Sequence, residues 1–207
     1  MKILIVGSGA VGGYFGALLS RAGNDVTFLA RGEHLKALRQ KGITIKSING
    51  DFSVKVKAQE QLDKDDRYDL IIFAVKGYDL EAASETIKDV VADDTAILSL
   101  LNGVESEEFL AQEFAAEKII GGIAFIGSAI EAPGEILHTA SGFVTIGEMD
   151  ERESDRCQKI KTTFEKAHIP CKISADINKD IWSKMVWNVG FNAITAVTGA
   201  LVSEILA

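Results

Sequence analysis

The chain opens with Met1-Lys-Ile-Leu-Ile-Val-Gly7-Ser8-Gly9-Ala10-Val11-Gly12-Gly13, and this stretch decides the fold. The apolar run from Ile3 to Val6 is typical of a buried strand, and it passes directly into a glycine turn. A helix-compatible segment, Tyr14-Phe-Gly-Ala-Leu-Leu-Ser-Arg21, follows at once. Strand, glycine turn and helix in this order predict the first half of a dinucleotide-binding βαβ unit.

The glycine turn predicts a phosphate site made of Gly7, Ser8, Gly9, Ala10, Val11 and Gly12. Gly7 would allow the tight turn, Gly9 would let a pyrophosphate approach the backbone, and Gly12 would let the helix lie close to the strand. Free N–H groups and the dipole at the helix start favour the phosphate charge. Glycine clusters also occur in ordinary turns, but a second strand predicted over 25–30 supplies the context that this motif requires.

The end of that second strand indicates which cofactor binds. NAD-binding proteins usually carry Asp or Glu there for the ribose 2′-hydroxyl, whereas a basic residue accommodates the 2′-phosphate of NADP. This chain reads Leu29-Ala30-Arg31-Gly32, and its first carboxylate is Glu33. A guanidinium pairs with a phosphate in bidentate fashion. We therefore expect NADP(H) rather than NAD(H), with an ordinary solvated role for Arg31 as the alternative.

Composition restricts the class of protein. The chain has 207 residues, 47% of them hydrophobic, and a net charge of −8, which is the profile of a globular protein without the basic face that nucleic acids require. No apolar stretch reaches membrane-spanning length, and glycines interrupt the N-terminal run too early for a secretory signal. Cys157 and Cys171 have neither zinc-site spacing nor a disulfide pattern. We expect a cytoplasmic protein with reduced thiols, no metal, and no membrane or nucleic-acid partner.

The rest of the chain alternates between strands and helices. Alternating residues on both sides of Asn49-Gly50 predict an antiparallel hairpin over 43–57. Buried strands are predicted at 69–75, 95–101 and 118–125, and two short strands over 134–147 on either side of Ala140-Ser141-Gly142. Helices are predicted at 33–40, 80–91, 105–114 and 151–167, with a short strand at 171–173. This order predicts an α/β fold, a Rossmann-type mainly parallel sheet with an antiparallel addition.

The last segment, from Ile177 to the end, predicts one long helix that is more apolar than a single surface helix needs. We interpret it as the first long helix of a helical second domain. The predicted domains are therefore residues 1–175, which bind the dinucleotide, and residues 176–207. We expect the apolar face of this helix to be covered by a partner chain, as in a homodimer, or by residues absent from this sequence.

Polar residues follow two of the predicted parallel strands. Lys76 comes directly after the strand at 69–75, and Asn102-Gly103 follows the strand at 95–101. Ligands of open α/β sheets bind beyond the carboxyl ends of the strands. Lysine and Asn-Gly are also common in plain loops, but their occurrence at two strand ends favours a site.

A third polar set lies in the last helix. Lys184, Asn188 and Asn192 are spaced i, i+4, i+8, so they share one face of a helix that is otherwise apolar around them. A polar outer stripe is the alternative, but asparagine is a poor helix former and is unusual on an ordinary solvent face. The pattern predicts that these side chains face a polar ligand.

These features together resemble the ketopantoate reductase (2-dehydropantoate 2-reductase) family. The resemblance covers essentially the whole chain, and its most specific part is the last helix. It is carried by GSGAVGGYFGALLSRAG with Arg31, VKGYD around Lys76, LLNGVES around Asn102, GGIAFIGS at 121–128, PGEILHTASG at 133–142, IGE at 146–148 and IWSKMVWNVGFNAITAVTGA at 181–200.

The resemblance implies NADPH-dependent reduction of ketopantoate to pantoate. It implies Lys184 as the proton donor, Asn188 and Asn192 as substrate ligands, and Lys76 and Asn102 beside the nicotinamide and the substrate. Family members continue into a helical domain, on the order of a hundred residues beyond the end of this chain. A further acidic residue and a serine of the site would lie there, so the activity of the 207-residue chain alone is an open point. The alternatives are another NADP-dependent 2-keto or 3-hydroxy acid oxidoreductase, or a non-catalytic dinucleotide-binding sensor or scaffold.

Overall fold

The computed structural model describes residues 1–200 and 202–205. The first part of the chain forms β1 (Lys2–Val6), α1 (Ala10–Arg21), β2 (Asp25–Leu29), α2 (Gly32–Lys41), β3 (Ile43–Ser47), β4 (Phe52–Val54), β5 (Lys57–Gln59), β6 (Leu70–Phe73), α3 (Leu80–Ile87) and β7 (Ala96–Ser99). The second part forms α4 (Ser106–Phe114), β8 (Ile119–Ala132), β9 (Glu135–Glu148), α5 (Asp155–Lys166), β10 (Cys171–Ile173), α6 (Ile177–Thr198) and α7 (Val202–Ile205).

The strands of the described residues form one sheet in the order β4-β3-β9-β8-β7-β6-β1-β2-β5, with β10 paired to β9. All neighbours from β8 through to β5 are parallel, whereas β8 with β9 and β3 with β4 are antiparallel. The carboxyl ends of β7, β6, β1 and β2 therefore lie side by side along one edge. This arrangement confirms the predicted Rossmann-type sheet with an antiparallel addition.

The strand β1 lies at the centre of the parallel part and is buried on both faces. Its alternate residues belong to two different cores, Ile3 and Ile5 to one, and Leu4 and Val6 to the other. Burial on both faces explains the continuous apolar run, since a half-exposed strand would alternate with polar residues. The helix α1 covers the first of these faces, and its glycines are buried against the sheet.

The two strands β8 and β9 are much longer than the sequence pattern predicted. The predicted strand 118–125 extends to Ala132, and the two short strands predicted over 134–147 are one continuous strand. That prediction was wrong because the Ala140-Ser141-Gly142 signal is a β-bulge, not a turn. Phe143 pairs with Phe125 and Ser141 pairs with Ile126, so Gly142 is the extra residue; φ is +59° at Ser141 and +107° at Gly142.

The Asn-Gly hairpin is present as β3 and β4, but it ends at Val54 rather than at residue 57. Lys57 begins β5, which pairs with β2 at the opposite end of the strand order. Only two residues separate β4 from β5, and they can span little distance. The sheet is therefore coiled so that its two ends come close to each other.

The helices near the end of the chain also differ from the predicted bounds. The helix predicted over 151–167 begins only at Asp155, because the side chain of Ser154 accepts a hydrogen bond from the N–H of Cys157 and caps it. The helix predicted from Ile177 to the end is interrupted. Gly199, in the left-handed conformation at φ +69°, ends α6 and donates its N–H to the carbonyl of Thr195. Residues 201, 206 and 207 lie outside the described residues.

The first turns of α6 pack on the sheet, where Ile177 and Ile181 contact Ile123 of β8. Further along, α6 carries exposed apolar side chains, including Val186 (70% exposed) and Val197 (88% exposed). The division into domains at residue 175 stays a prediction. Within the described residues, no helix combines the length and the apolar character needed to cross a membrane.

Candidate active site

The glycine turn lies at the carboxyl edge of the sheet, between β1 and α1. Gly7 has φ of +98°, and a Cβ there would come within 2.6 Å of the backbone of Ala74, so only glycine fits. A Cβ on Gly12 would clash with the carbonyl oxygen of Gly7, which shows how closely α1 approaches the turn. A Cβ on Gly9 would meet no described atom within 4 Å. The turn therefore presents open space beside Gly9 and the start of α1.

The turn is tied to the next strand by Ser8. Its buried hydroxyl donates a hydrogen bond of 2.7 Å to the carbonyl oxygen of Leu29 at the end of β2. Arg31 follows two residues later as the N-cap of α2, and its guanidinium is largely exposed. Its Nη2 lies 3.6 Å from Oδ1 of Asp79. Arg31 thus lies at the strand end where it was expected, with an acidic neighbour that the sequence did not reveal.

The predicted site residues follow the order of the strands along the carboxyl edge. Asn102 follows β7, Lys76 follows β6, the glycine turn follows β1 and Arg31 follows β2. Adjacent strands lie about 4.8 Å apart, so the four strand ends extend over about 14 Å. Such a row offers an extended ligand a series of polar contacts.

A cavity of about 280 Å³ opens where the end of β7, the far part of β8 and α6 meet. The residues that were predicted as a helical stripe all line it, together with one predicted residue from the loop after β7 and one from the first turn of α1: Lys184, Asn188, Asn192, Asn102 and Val11. Ligand pockets usually begin at about 300 Å³, so this cleft suits a small molecule. Lys76 and Arg31 are not among its lining residues; they lie further along the same edge.

Lys184 is held from two directions inside this cleft. Its Nζ donates hydrogen bonds of 2.8 Å to Oδ1 of Asn102 and 2.9 Å to the carbonyl oxygen of Ala124. Burial lowers the pKa of Lys184 below the ordinary value of 10.5, and the field of the Glu107 carboxylate opposes part of this shift. Desolvation of an ammonium that stays hydrogen-bonded is the pattern expected of a group that releases a proton.

Glu107 was missed by the sequence analysis. It stands in the first turn of α4, is only 3% exposed, and accepts a hydrogen bond of 2.9 Å from the Ser106 hydroxyl. Acidic residues in the first turn of a helix are usually solvated, so the sequence carried no signal of burial. The carboxylate acts on Lys184 through its field.

Two aromatic residues of the cleft were also missed, Phe125 on β8 and Trp187 on α6. A signal existed for both. Phe125 lies within GGIAFIGS, which carried part of the resemblance, and Trp187 stands three residues after Lys184, near the same helix face.

This parallel sheet, its glycine turn and the row of polar strand ends beside a lysine-lined cleft define a dinucleotide-binding oxidoreductase of the Rossmann type. Comparison with known proteins narrows the class. The model of the ketopantoate reductase PanE/ApbA family matches residues 3–151, and the model of the C-terminal part of that family matches residues 176–207. The chain belongs to the ketopantoate reductase PanE/ApbA family, whose members are enzymes.

Individual relatives agree with this assignment. An uncharacterized oxidoreductase, YkpB of Bacillus subtilis, is 36% identical over all of this chain and 68% of its own length. The crystal structure of 2-dehydropantoate 2-reductase from Geobacter metallireducens is 38% identical with a TM-score of 0.93, over 100% of this chain and 69% of that one. D-mandelate dehydrogenase, in a ternary structure with NADH and anilino(oxo)acetate, is 26% identical with a TM-score of 0.91. The match covers 99% of this chain and 66% of that one. The chain spans about two thirds of the length of the curated relatives it matches.

Proposed function

We propose that the protein reduces ketopantoate to pantoate with NADPH, and that Lys184 donates the proton. The observation that carries this proposal is the position of Lys184, in one cleft with Asn102, Asn188 and Asn192 beyond the carboxyl end of β7. Membership of the ketopantoate reductase family supports the substrate.

The order of the residues along the carboxyl edge fits NADP(H) bound in one orientation, with the 2′-phosphate at one end and the nicotinamide at the other. The glycine turn, with its open side at Gly9, would hold the pyrophosphate at the start of α1. Arg31 would pair with the 2′-phosphate, exchanging its contact with Asp79 for a stronger one. Lys76 and Asn102 would border the nicotinamide end, next to the cleft. Bound there, NADPH supplies the hydride for the carbonyl carbon.

Lys184 has the hydrogen-bonding capacity that proton donation requires. An ammonium carries three N–H donors, and two of them are given to Asn102 and Ala124. The third is available to the ketone oxygen of a substrate in the cavity. Negative charge that develops on that oxygen would be neutralised by transfer of this proton, and the lowered pKa of Lys184 favours the transfer.

Asn188 and Asn192 lie one and two turns further along α6 and line the same cavity. Their amide N–H groups suit a carboxylate or hydroxyl of the substrate, and they would orient it with its ketone towards Lys184. This division assigns binding to the asparagines and chemistry to the lysine.

A second candidate is the reduction of another 2-oxo acid. The likeness to D-mandelate dehydrogenase favours it, because that protein shares the fold over nearly the whole of this chain. Fold alone does not decide between the two substrates.

The direct test follows NADPH absorbance in the presence of ketopantoate and identifies the product by chromatography. We expect oxidation of NADPH that depends on ketopantoate, with pantoate formed in equal amount. Asn188→Ala and Asn192→Ala should mainly raise KM, since uniform binding of ground and transition states affects KM alone. NADPH binding without ketopantoate-dependent oxidation would contradict the proposal.

A further inference from the structure

His34 lies where three parts of the molecule meet beside the glycine turn. It stands in the first turn of α2, three residues after Arg31, and its side chain is half-buried. Its ring interacts with the turn between β8 and β9 and with the backbone of Ser8 in the glycine turn. The side chain therefore connects the phosphate turn, the helix that begins after Arg31 and the antiparallel part of the sheet.

The contact with the β8–β9 turn is a hydrogen bond between distant parts of the chain. The backbone N–H of Gly134 donates to Nδ1 of His34 over 3.2 Å, between residues 100 positions apart. A Cβ on Gly134 would come within 3.0 Å of the Cβ of Ala37, so this turn lies directly against α2. The carbonyl of Gly134 accepts a hydrogen bond of 2.8 Å from the N–H of Thr44 in β3. The turn is thus fixed on both sides, and Nδ1 is one of its anchors.

This hydrogen bond determines where the ring carries its proton. A ring nitrogen that accepts a hydrogen bond has no proton, so neutral His34 is protonated on Nε2. Nε2 is buried and makes no well-formed hydrogen bond within the described residues, while the backbone of Ser8 interacts with the ring. Burial lowers the pKa of His34 below its ordinary value of 6.5, and Ser8 opposes part of this shift. The neutral ring is therefore the main form at pH 7.

Charged neighbours do not account for this state. The charged side chains on the adjoining elements pair with one another: Arg31 with Asp79, Glu33 with Lys36, and Glu131 and Glu135 with Lys46. The glycine turn, from Gly7 to Val11, carries no acidic or basic side chain. Protonation of His34 is opposed by burial and by the N–H of Gly134, which would then face a second N–H.

We propose that His34 is a positioning residue of the cofactor site, whose neutral ring holds the glycine turn in place relative to Arg31. The hydroxyl of Ser8 ties this turn to the end of β2, and His34 links its backbone to α2. The pyrophosphate would bind the N–H groups of the turn and the 2′-phosphate would bind Arg31, so the ring connects both phosphate sites. The inference rests on the dinucleotide binding proposed above and adds a residue that acts through its neighbours.

Protonation would break this connection. An imidazolium donates from both nitrogens, so Nδ1 could no longer accept from Gly134. NADPH affinity should therefore be constant above the pKa of His34, which lies below 6.5, and fall as pH decreases through it. The 2′-phosphate of NADPH itself titrates with a pKa of about 6, so the effect of His34 is measured against a variant without the imidazole.

The binding test measures the Kd of NADPH by calorimetry in the absence of any 2-oxo acid. His34→Ala removes both contacts and should raise Kd about tenfold, the effect of one lost buried hydrogen bond. His34→Gln keeps one acceptor and one N–H donor and should hold Kd within about threefold of the unmodified protein. With ketopantoate and saturating NADPH, kcat should change less than about threefold in both variants, because His34 does not line the cleft of Lys184.

The same titrations at pH 5 and pH 7.5 test the role of the neutral ring. Glutamine does not titrate, so the rise in Kd at pH 5 should be at least about threefold smaller in His34→Gln than in the unmodified protein. His168→Gln is the matched control, because His168 is exposed, and it should keep the pH dependence of the unmodified protein.

Unchanged NADPH affinity in His34→Ala would overturn the inference. So would a His34→Gln variant that binds as weakly as the alanine variant, or one that keeps the full pH dependence. If His34→Ala does not fold, the comparison of His34→Gln with the unmodified protein decides.

These outcomes are distinct from those of the reductase proposal. Ketopantoate-dependent oxidation of NADPH, with an NADPH affinity that is indifferent to His34, would overturn this inference alone. The expected pattern of binding without ketopantoate-dependent oxidation would overturn the reduction and support the role of His34.

Discussion

Replacement of Lys184 by alanine tests the chemistry of the cleft most sharply. Loss of a general acid lowers kcat by roughly 10²–10⁴-fold, which corresponds to about 2.7–5.4 kcal/mol of barrier. The structural cost should be much smaller. The lost hydrogen bonds run to the exposed side chain of Asn102 and to the carbonyl of Ala124, both of which line the cleft, where water can replace the ammonium. We expect a loss of about 1 kcal/mol in the free energy of unfolding.

The assay combines steady-state NADPH oxidation with urea unfolding of the same preparations. Lys179→Ala is the matched control, because Lys179 is on the same helix, is exposed and has the same charge. Cofactor affinity should be unchanged in both variants, since the glycine turn is a separate structure. A kcat for Lys184→Ala within tenfold of the unmodified protein would refute the assignment. So would a loss of activity that only follows a loss of stability.

The pH dependence of kcat tests the same role of Lys184, because the direction in which kcat changes shows whether the group must be protonated. A proton donor must be protonated, so kcat for reduction should be constant at low pH and fall as pH rises through the pKa of Lys184, below 10.5. Glu107→Gln removes the field that opposes the shift, so this falling limb should move to lower pH. A limb that moves to higher pH in this variant would contradict the argument.

Three further predictions concern the cofactor and the core. Arg31→Ala should remove most of a preference for NADPH over NADH that corresponds to about 1.5–3 kcal/mol, measured by calorimetry; equal affinities before mutation would rule it out. Arg156 donates two hydrogen bonds to the carboxylate of Glu148, which is buried, so Arg156→Ala should lower the free energy of unfolding by about 3 kcal/mol at pH 7. Burial alone would raise the pKa of Glu148, but the bonds from Arg156 outweigh it and lower the pKa below 4.5. The stabilisation should therefore be complete above pH 4.5 and disappear as pH falls through that lowered pKa; a loss below 1 kcal/mol at pH 7 would contradict this. Burial raises the pKa of Cys171 to about 12 and also raises the pKa of Cys157. Iodoacetamide at pH 8 should therefore leave both thiols of the folded protein unmodified, as measured by mass spectrometry. Rapid alkylation would show that the thiols are accessible.

Sequence patterns correctly predicted those parts of the structure that depend on residues close together in the chain. The strand, turn and helix around Gly7 and Gly12 follow from steric limits within a few residues. The alignment of Lys184, Asn188 and Asn192 follows from the helical period, and the structure places all three on one cavity. Asn102 could be placed because parallel strands present their carboxyl ends at the same edge.

Other features depend on distant partners and left no local signal. The Ser141-Gly142 pair has the composition of a turn, but pairing with β8 converts it into a bulge within a long strand. The position of β5 beside β2 depends on how the sheet coils. The burial of Glu107 depends on packing around α4, which the sequence of the helix does not encode.

The most direct test of the proposed active site is a crystal structure of the protein with NADP⁺ and pantoate. We expect Nζ of Lys184 within hydrogen-bonding distance of the C2 hydroxyl oxygen of pantoate, with the 2′-phosphate on Arg31 and the pyrophosphate on the glycine turn. Pantoate bound away from the cleft, or Lys184 turned from a correctly bound pantoate into solvent, would contradict it.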